Sequence, residues 1–239
     1  MIVSTLQQGS VTFSDDQFDF RKFQTALNYP LSAALPAPIR GFLERELFPA
    51  LADLPIQYQY RLSSVESKDV NGHRIYLLPE AELSGPILYR FLRFSDQLIA
   101  VLVSIQREQD YNVWEDYIAY SFYNTILHQA LDRIRNQIIE DLHIPEYRLT
   151  QRYAPGYCGW PITDQKALLS VLNPAEIGVT LTDSYLMQPN HTITGIYGLR
   201  RHDQLREKMP CYSCTSVSCH VHYDFQKEAP VIKRIEHAQ

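Results

Sequence analysis

The chain has 239 residues, 45% of them hydrophobic and 21% charged, with a formal net charge of −5. That length buries a core without staples, in one large domain or two small ones, and the acidic balance lacks the basic excess that binding a phosphate backbone requires. Met1 to Ser10 has neither a basic flank nor a long apolar run, and the best apolar stretch, Leu98 to Ile105, is far too short for a bilayer, so a soluble, cytoplasmic protein with no membrane or nucleic-acid partner is expected.

The first half predicts mixed helix and strand. A short strand near Val11 to Phe13 comes first, then an amphipathic helix around Gln17 to Leu27. A second helix follows Pro38, with Ile39, Phe42, Leu43, Leu47 and Leu51 at helical spacing. Ile56 to Ser64 and His73 to Leu78 predict a hairpin, with Asn71-Gly72 expected to supply the positive φ of its turn. Gln97 to Ile105 is continuous in Leu, Ile and Val and suits a buried central strand. From about Asp116 to Leu142, apolar residues recur at three- and four-residue steps, which predicts a long amphipathic helix closed near Pro145.

A loop from Thr150 to Pro161 leads to a short helix near Asp164 to Leu172, stopped by Asn173-Pro174. Ile177 to Thr182 and Thr192 to Leu199 are β-branched and aromatic, and Gln188-Pro189-Asn190 predicts the turn between them. The expected architecture is α+β, an antiparallel β-sheet flanked by helices, with residues 1–206 as one domain and 207–239 as a polar, cysteine-containing tail.

Three of the four cysteines, Cys211, Cys214 and Cys219, cluster in that tail beside His220 and His222, while Cys158 stands alone. With no signal peptide, the cluster suits a metal or redox site better than a disulfide scaffold. Three thiolates and one imidazole, such as His222, would complete a tetrahedral zinc site, and three thiolates alone would hold an iron-sulfur cluster with one open iron. Reduced free thiols are the alternative.

Five of the nine glycines lie between positions 156 and 198, so the backbone is being shaped there for turns or for a ligand's close approach. Within this stretch, Arg152-Tyr153-Ala154-Pro155-Gly156-Tyr157-Cys158-Gly159-Trp160-Pro161 joins one permanent cation to three aromatic rings and four backbone-restricting residues. Prolines limit the loop's freedom when unfolded, which lowers the cost of holding one shape. A guanidinium offers a planar fork of donors to a carboxylate, and ring faces suit a planar base or a cationic centre. These are the groups that a zwitterionic nucleoside needs. The bland alternative pairs Arg152 with a carboxylate of the protein itself and sends the rings to the core.

The order Arg152-x-Ala154-Pro155-Gly156-Tyr157, then Pro161 and Lys166, then Gly178-Val-Thr-Leu-Thr-Asp-Ser-Tyr-x-Met187-x-Pro189, then Thr194-Gly195-x-Tyr197, resembles the activation domain of cobalamin-dependent methionine synthase. The strong resemblance covers roughly residues 152–199, and a looser similarity to stand-alone activation-domain-like proteins, cysteine tail included, extends over the rest. It implies an accessory module that binds S-adenosylmethionine and docks over the cobalamin of a partner, where an oxidised cobalt receives an electron from flavodoxin and a methyl group from the nucleoside.

Carried over by motif, Arg152 would hold the methionine carboxylate and the main chain at Ala154 would meet the adenosyl part. Pro155 and Gly156 would shape the approach, and Tyr157 would pack against the ligand. Asp183, within Thr182-Asp183-Ser184, would support the loop from a neighbouring strand, and Tyr197 closes the last matching block. The family's acidic residue on the long helix falls on Gln129, which carries no charge, and a tyrosine expected after the last strand is missing from Leu199 to Arg206. An N-terminal acidic contact has no evident counterpart.

Two other classes of function compete with this one. The cysteine tail suggests a metal or iron-sulfur redox protein donating electrons to a corrinoid methyltransferase. An independent methyltransferase is disfavoured, because the glycine-rich strand-to-helix turn of the usual nucleoside-binding fold is absent.

Overall fold

The computed structural model describes residues 6–201 apart from positions 79, 80, 108, 109, 144 and 145. Strand β1 (Leu6–Val11) leads to α1 (Phe20–Ala26), and α2 (Ala37–Phe42) and α3 (Phe48–Ala52) are joined by a π-helical stretch, Leu43–Leu47. Then come β2 (Ile56–Asp69), β3 (Arg74–Leu78), β4 (Ala81–Ser84), α4 (Pro86–Leu92) and β5 (Gln97–Ile105). The second half holds α5 (Val113–Leu142), β6 (Tyr147–Leu149), α6 (Gln165–Ser170), β7 (Thr180–Leu181), β8 (Met187–Gln188) and β9 (Thr192–Arg201).

One antiparallel sheet runs β4-β3-β2-β5-β9-β6, with β1 pairing the first half of β2 on the edge that β3 takes farther along. The α+β expectation holds. Strand β5 lies mid-sheet between β2 and β9, and side chains alternate across it. Its Ile99, Val101, Val103 and Ile105 join α1, α2 and α5 in one core, while Leu98, Ala100 and Leu102 join α4, α6 and Trp160 in the other. Burial on both faces is why this segment reads as an unbroken apolar run.

Helix α5 starts earlier than its apolar pattern suggests. Asn112 caps it by accepting from the N–H groups of Trp114 and Glu115, and the Glu115 carboxylate answers from inside the first turn. At the other end His143 takes a left-handed conformation, φ 48°, and closes the helix. The stop expected near Pro145 lies outside the described residues.

Other local expectations shift. The first strand ends at Val11, where that over Val11 to Phe13 was expected to begin. The β2–β3 hairpin forms, but its positive φ belongs to His73 and not to Asn71-Gly72. The connection runs between the paired residues Asp69 and Arg74, and the Asp69 carboxylate accepts from the Asn71 N–H, so the reversal comes one residue later. Strand β7 is also far shorter than Ile177 to Thr182, because Pro174–Ile177 forms a 3-10 turn. It pairs only with β8, in a small separate hairpin. Among the described residues no helix is long and apolar enough to cross a membrane.

Candidate functional site

Strand β9 is the platform for the 152–160 loop. After β6 pairs with Leu199–Arg201, the chain stays beside β9: the Thr150 N–H donates to the Gly198 carbonyl, and Tyr153 and Ile196 exchange backbone hydrogen bonds at 2.9 and 2.7 Å. Tyr153 points into the core beneath α4, where its ring lies 5.2 Å from that of Trp160 and 5.7 Å from that of Phe91. Arg152, next along the backbone, faces the α5 side.

The turn beyond is tightly wound. The Gly156 N–H donates to the Trp160 carbonyl, the Trp160 N–H donates to the Tyr157 carbonyl, and the Tyr153 hydroxyl sits 2.9 Å from the carbonyl oxygens of both Tyr157 and Cys158. Gly156 has φ 88°, a conformation that a side chain resists, so the sequence needs glycine there. Trp160 is 1% exposed, and its indole N–H donates to Asp164 at 2.8 Å. That carboxylate also accepts from the Ser84 N–H at 2.7 Å, tying the loop to the edge strand β4. Ala154 and Pro155 are buried, while Tyr157 stays 48% exposed at the tip. The Ala154 N–H has no acceptor among the described residues, leaving a main-chain donor beside the exposed ring.

Arg152 is half-buried, and its stem lies flat on β9. Its Nη1 donates to the Thr194 carbonyl. A Cβ at Gly195 would stand 2.8 Å from Arg152 Cγ and 2.8 Å from the Tyr153 carbonyl oxygen, so glycine is what lets the guanidinium reach this position. Among the described residues no carboxylate comes within ion-pairing distance of Arg152. Among the described residues the internal ion pair of the bland alternative does not form. Burial lowers the Arg152 pKa, and the phenols of Tyr197 and Tyr157 act against that. A guanidinium that has lost solvent and found only neutral partners favours an incoming anion.

Substituting Gly195 tests this packing. Gly195→Ala should cost about 1 to 3 kcal/mol of stability through overpacking, measured by urea denaturation, because one of the two atoms in the way is backbone.

Helix α5 contributes His128 near Arg152. His128 is held down to a pKa of about 4, by burial first and then by the charges of Arg152 and Lys22, although the residue as a whole is exposed. Tyr197 is 3% exposed on the β9 floor, and burial raises its pKa against the pull of Arg152 and Arg135. Arg152 therefore lies within electrostatic reach of Tyr157, Tyr197 and His128.

The remaining sequence-derived residues lie elsewhere or serve the fold. Gln129 spends its amide on the backbone, accepting from the Asp19 N–H at 3.0 Å and donating to the Gln17 carbonyl at 2.7 Å. Asp183 sits in the exposed turn between β7 and β8, whose Leu181 and Met187 pack on the opposite core, and no contact among the described residues brings it to Arg152. Cys211, Cys214, Cys219, His220 and His222 lie outside the described residues. Among those that are described, no three His, Cys, Asp or Glu side chains group as for a metal. His128 lies outside every motif singled out in the sequence. Its signal was the four-residue step from His128 to Asp132, which puts both on one helical face.

Residues 116–206 match the family model of the vitamin B12 dependent methionine synthase activation domain. No curated protein matches the chain. Among solved structures, the MetH reactivation domain in its crystal structure bound to AdoHcy is similar in fold, with a TM-score of 0.56 and 16% sequence identity over 87% of this chain and 81% of that one. The matched stretch contains most of α5, the Arg152 loop and all of β9, so the chain is similar to that family in sequence over residues 116–206 and to the MetH reactivation domain in fold over most of its length.

Proposed function

We propose that this chain binds S-adenosylmethionine at the Arg152 loop, on the α5 side of β9, and that it serves the reductive reactivation of a cobalamin-dependent methionine synthase or a related corrinoid protein. One observation carries the reading: Arg152 is desolvated on a glycine-cleared strand and meets no carboxylate among the described residues. Its open donors suit the ligand's carboxylate. The unpaired Ala154 N–H suits a ring nitrogen or hydroxyl of the nucleoside, and Tyr157 offers an exposed ring face beside it. The AdoHcy held by the structurally similar domain is a nucleoside of the same kind, with the same amino-acid end.

The ligand would supply the methyl group and the partner's corrinoid the metal chemistry, so this chain needs no acid or base of its own. Its residues bind and orient. Tyr153, Trp160 and Asp164 fix the loop before any ligand arrives, which limits the ordering that binding must offset. Flavodoxin or another electron donor, and zinc or an iron-sulfur cluster on Cys211, Cys214, Cys219 and His222, are proposed from the sequence alone.

Two measurements test the reading. Titration calorimetry should show S-adenosylmethionine binding one to one. A pull-down from native extract, with and without that nucleoside, should recover a corrinoid protein more strongly when it is present. No binding of the nucleoside would end the proposal.

A further inference from the structure

Arg201 lies six residues beyond Gly195 on β9, roughly 20 Å away at the rise of a strand. There β9 ends against β6, with Arg148 directly opposite Arg200 and Tyr147 opposite Arg201. Like charges so placed repel. The turn between α4 and β5 adds Arg93, whose guanidinium lies 4.6 Å from the centre of the Phe94 ring, while that of the buried Arg200 lies 6.0 Å from the same ring. Residues 93–97, 146–149 and 199–201 thus gather four arginines against two carboxylates, Asp96 and Glu146, in a chain whose net charge is −5. Asp96 is already answered by Lys68 at 3.6 Å.

This end of the sheet is apolar as well as basic. Phe94 is 43% exposed, and beside it opens a hollow of about 210 Å³ lined by Phe94, Asp96, Gln97, Tyr147, Leu199 and Arg201. Arginine and aromatic residues are enriched in the cores of protein interfaces, and arginine clusters recognise acidic segments. A nucleic acid would call for a broader basic excess than this chain carries.

We infer that the surface formed by Arg93, Phe94, Tyr147, Arg148 and Arg201 docks an acidic face of a partner protein, with carboxylates set against the arginines and one apolar side chain seated in the hollow. Each incoming carboxylate offsets repulsion within the cluster, and covering Phe94 removes an exposed ring from water. None of these residues belongs to the Arg152 loop, so the docking surface stands or falls apart from the nucleoside site.

The probe is a fluorescein-labelled peptide, Glu-Asp-Glu-Phe-Glu-Asp-Glu, titrated with the full chain and read by fluorescence anisotropy. Raising sodium chloride from about 25 to about 300 mM should weaken binding severalfold. Arg93→Glu combined with Arg201→Glu should weaken it about tenfold or more, since each exposed pair is worth up to about fivefold and reversal adds repulsion. Arg40→Glu combined with Arg45→Glu, both exposed near α2, makes the same change in net charge and should leave affinity within about twofold. Phe94→Ser should cost about fivefold, as should Ser in place of Phe in the peptide on wild type, and Phe94→Ser should no longer distinguish the two peptides.

Urea denaturation checks that each variant folds, and the peptide substitution tests the hollow on the wild-type chain. No binding to the full chain overturns the inference. So does equal binding of the Ser peptide by wild type, equal loss in the two double reversals, or tighter binding of a single-stranded RNA of the same charge.

Discussion

Arg152→Ala should weaken S-adenosylmethionine binding by about 1.5 to 3 kcal/mol, the worth of hydrogen bonds to a charged group, or roughly ten- to a hundredfold in affinity. The structure explains why the effect should be this large. The guanidinium has already lost part of its hydration, and among the described residues only the Thr194 carbonyl accepts from it, so an anion completes an unfinished set. Truncation to Ala also removes the stem that covers Gly195, and folding must therefore be checked beside binding. Arg152→Lys is the informative companion. It keeps the charge and most of the stem but loses the planar fork, and should fall between wild type and Ala. Equal affinity in all three proteins would make Arg152 structural.

Long-range order was legible in the sequence where one residue type had one reason to be there. The apolar run of β5 follows from burial on both faces, and the stepping of α5 follows from one face on the sheet. Where several turns satisfied the same residues, the outcome depended on contacts that sequence does not show. Gly72 suggested a two-residue turn, yet the Asp69 side chain caps the Asn71 N–H and the left-handed residue becomes His73. Ile177 to Thr182 has strand composition, but Pro174 winds its start into a 3-10 turn and only two residues remain to pair with β8.

The site divides in the same way. Arg152, Gly156 and Tyr157 stand out in the sequence as candidates because a cation, a glycine and an aromatic ring leave local traces. Gln129 could not be judged from sequence, since its role is set by an N-terminal segment far away in the chain that comes to lie against α5. Asp183 was placed on a supporting strand and instead occupies the tip of a separate hairpin, because β7 and β8 pair with each other and not with β9.

Trp160→Ala should be the most damaging change to the fold near the site, at about 3 to 5 kcal/mol by urea denaturation. Domains of this size are stable by only about 5 to 15 kcal/mol, so the variant should sit near the edge of folding. The indole is 1% exposed, packs at a tilt against the Tyr153 ring, and carries the N–H that meets Asp164. Removing it leaves a cavity and frees a carboxylate that still binds the Ser84 N–H of β4. Trp160→Phe separates packing from hydrogen bonding: it retains most of the buried area and should lose only about 1 to 3 kcal/mol through the unpaired acceptor and the smaller ring. If the loop is preorganised by this residue, Trp160→Phe should also weaken nucleoside binding although Trp160 faces the core beneath α4. Full affinity in a destabilised Trp160→Phe would show that the loop holds its shape without the Trp160–Asp164 bond, and the preorganising role would pass to the Tyr153 hydroxyl, which reaches the Tyr157 and Cys158 carbonyls from below.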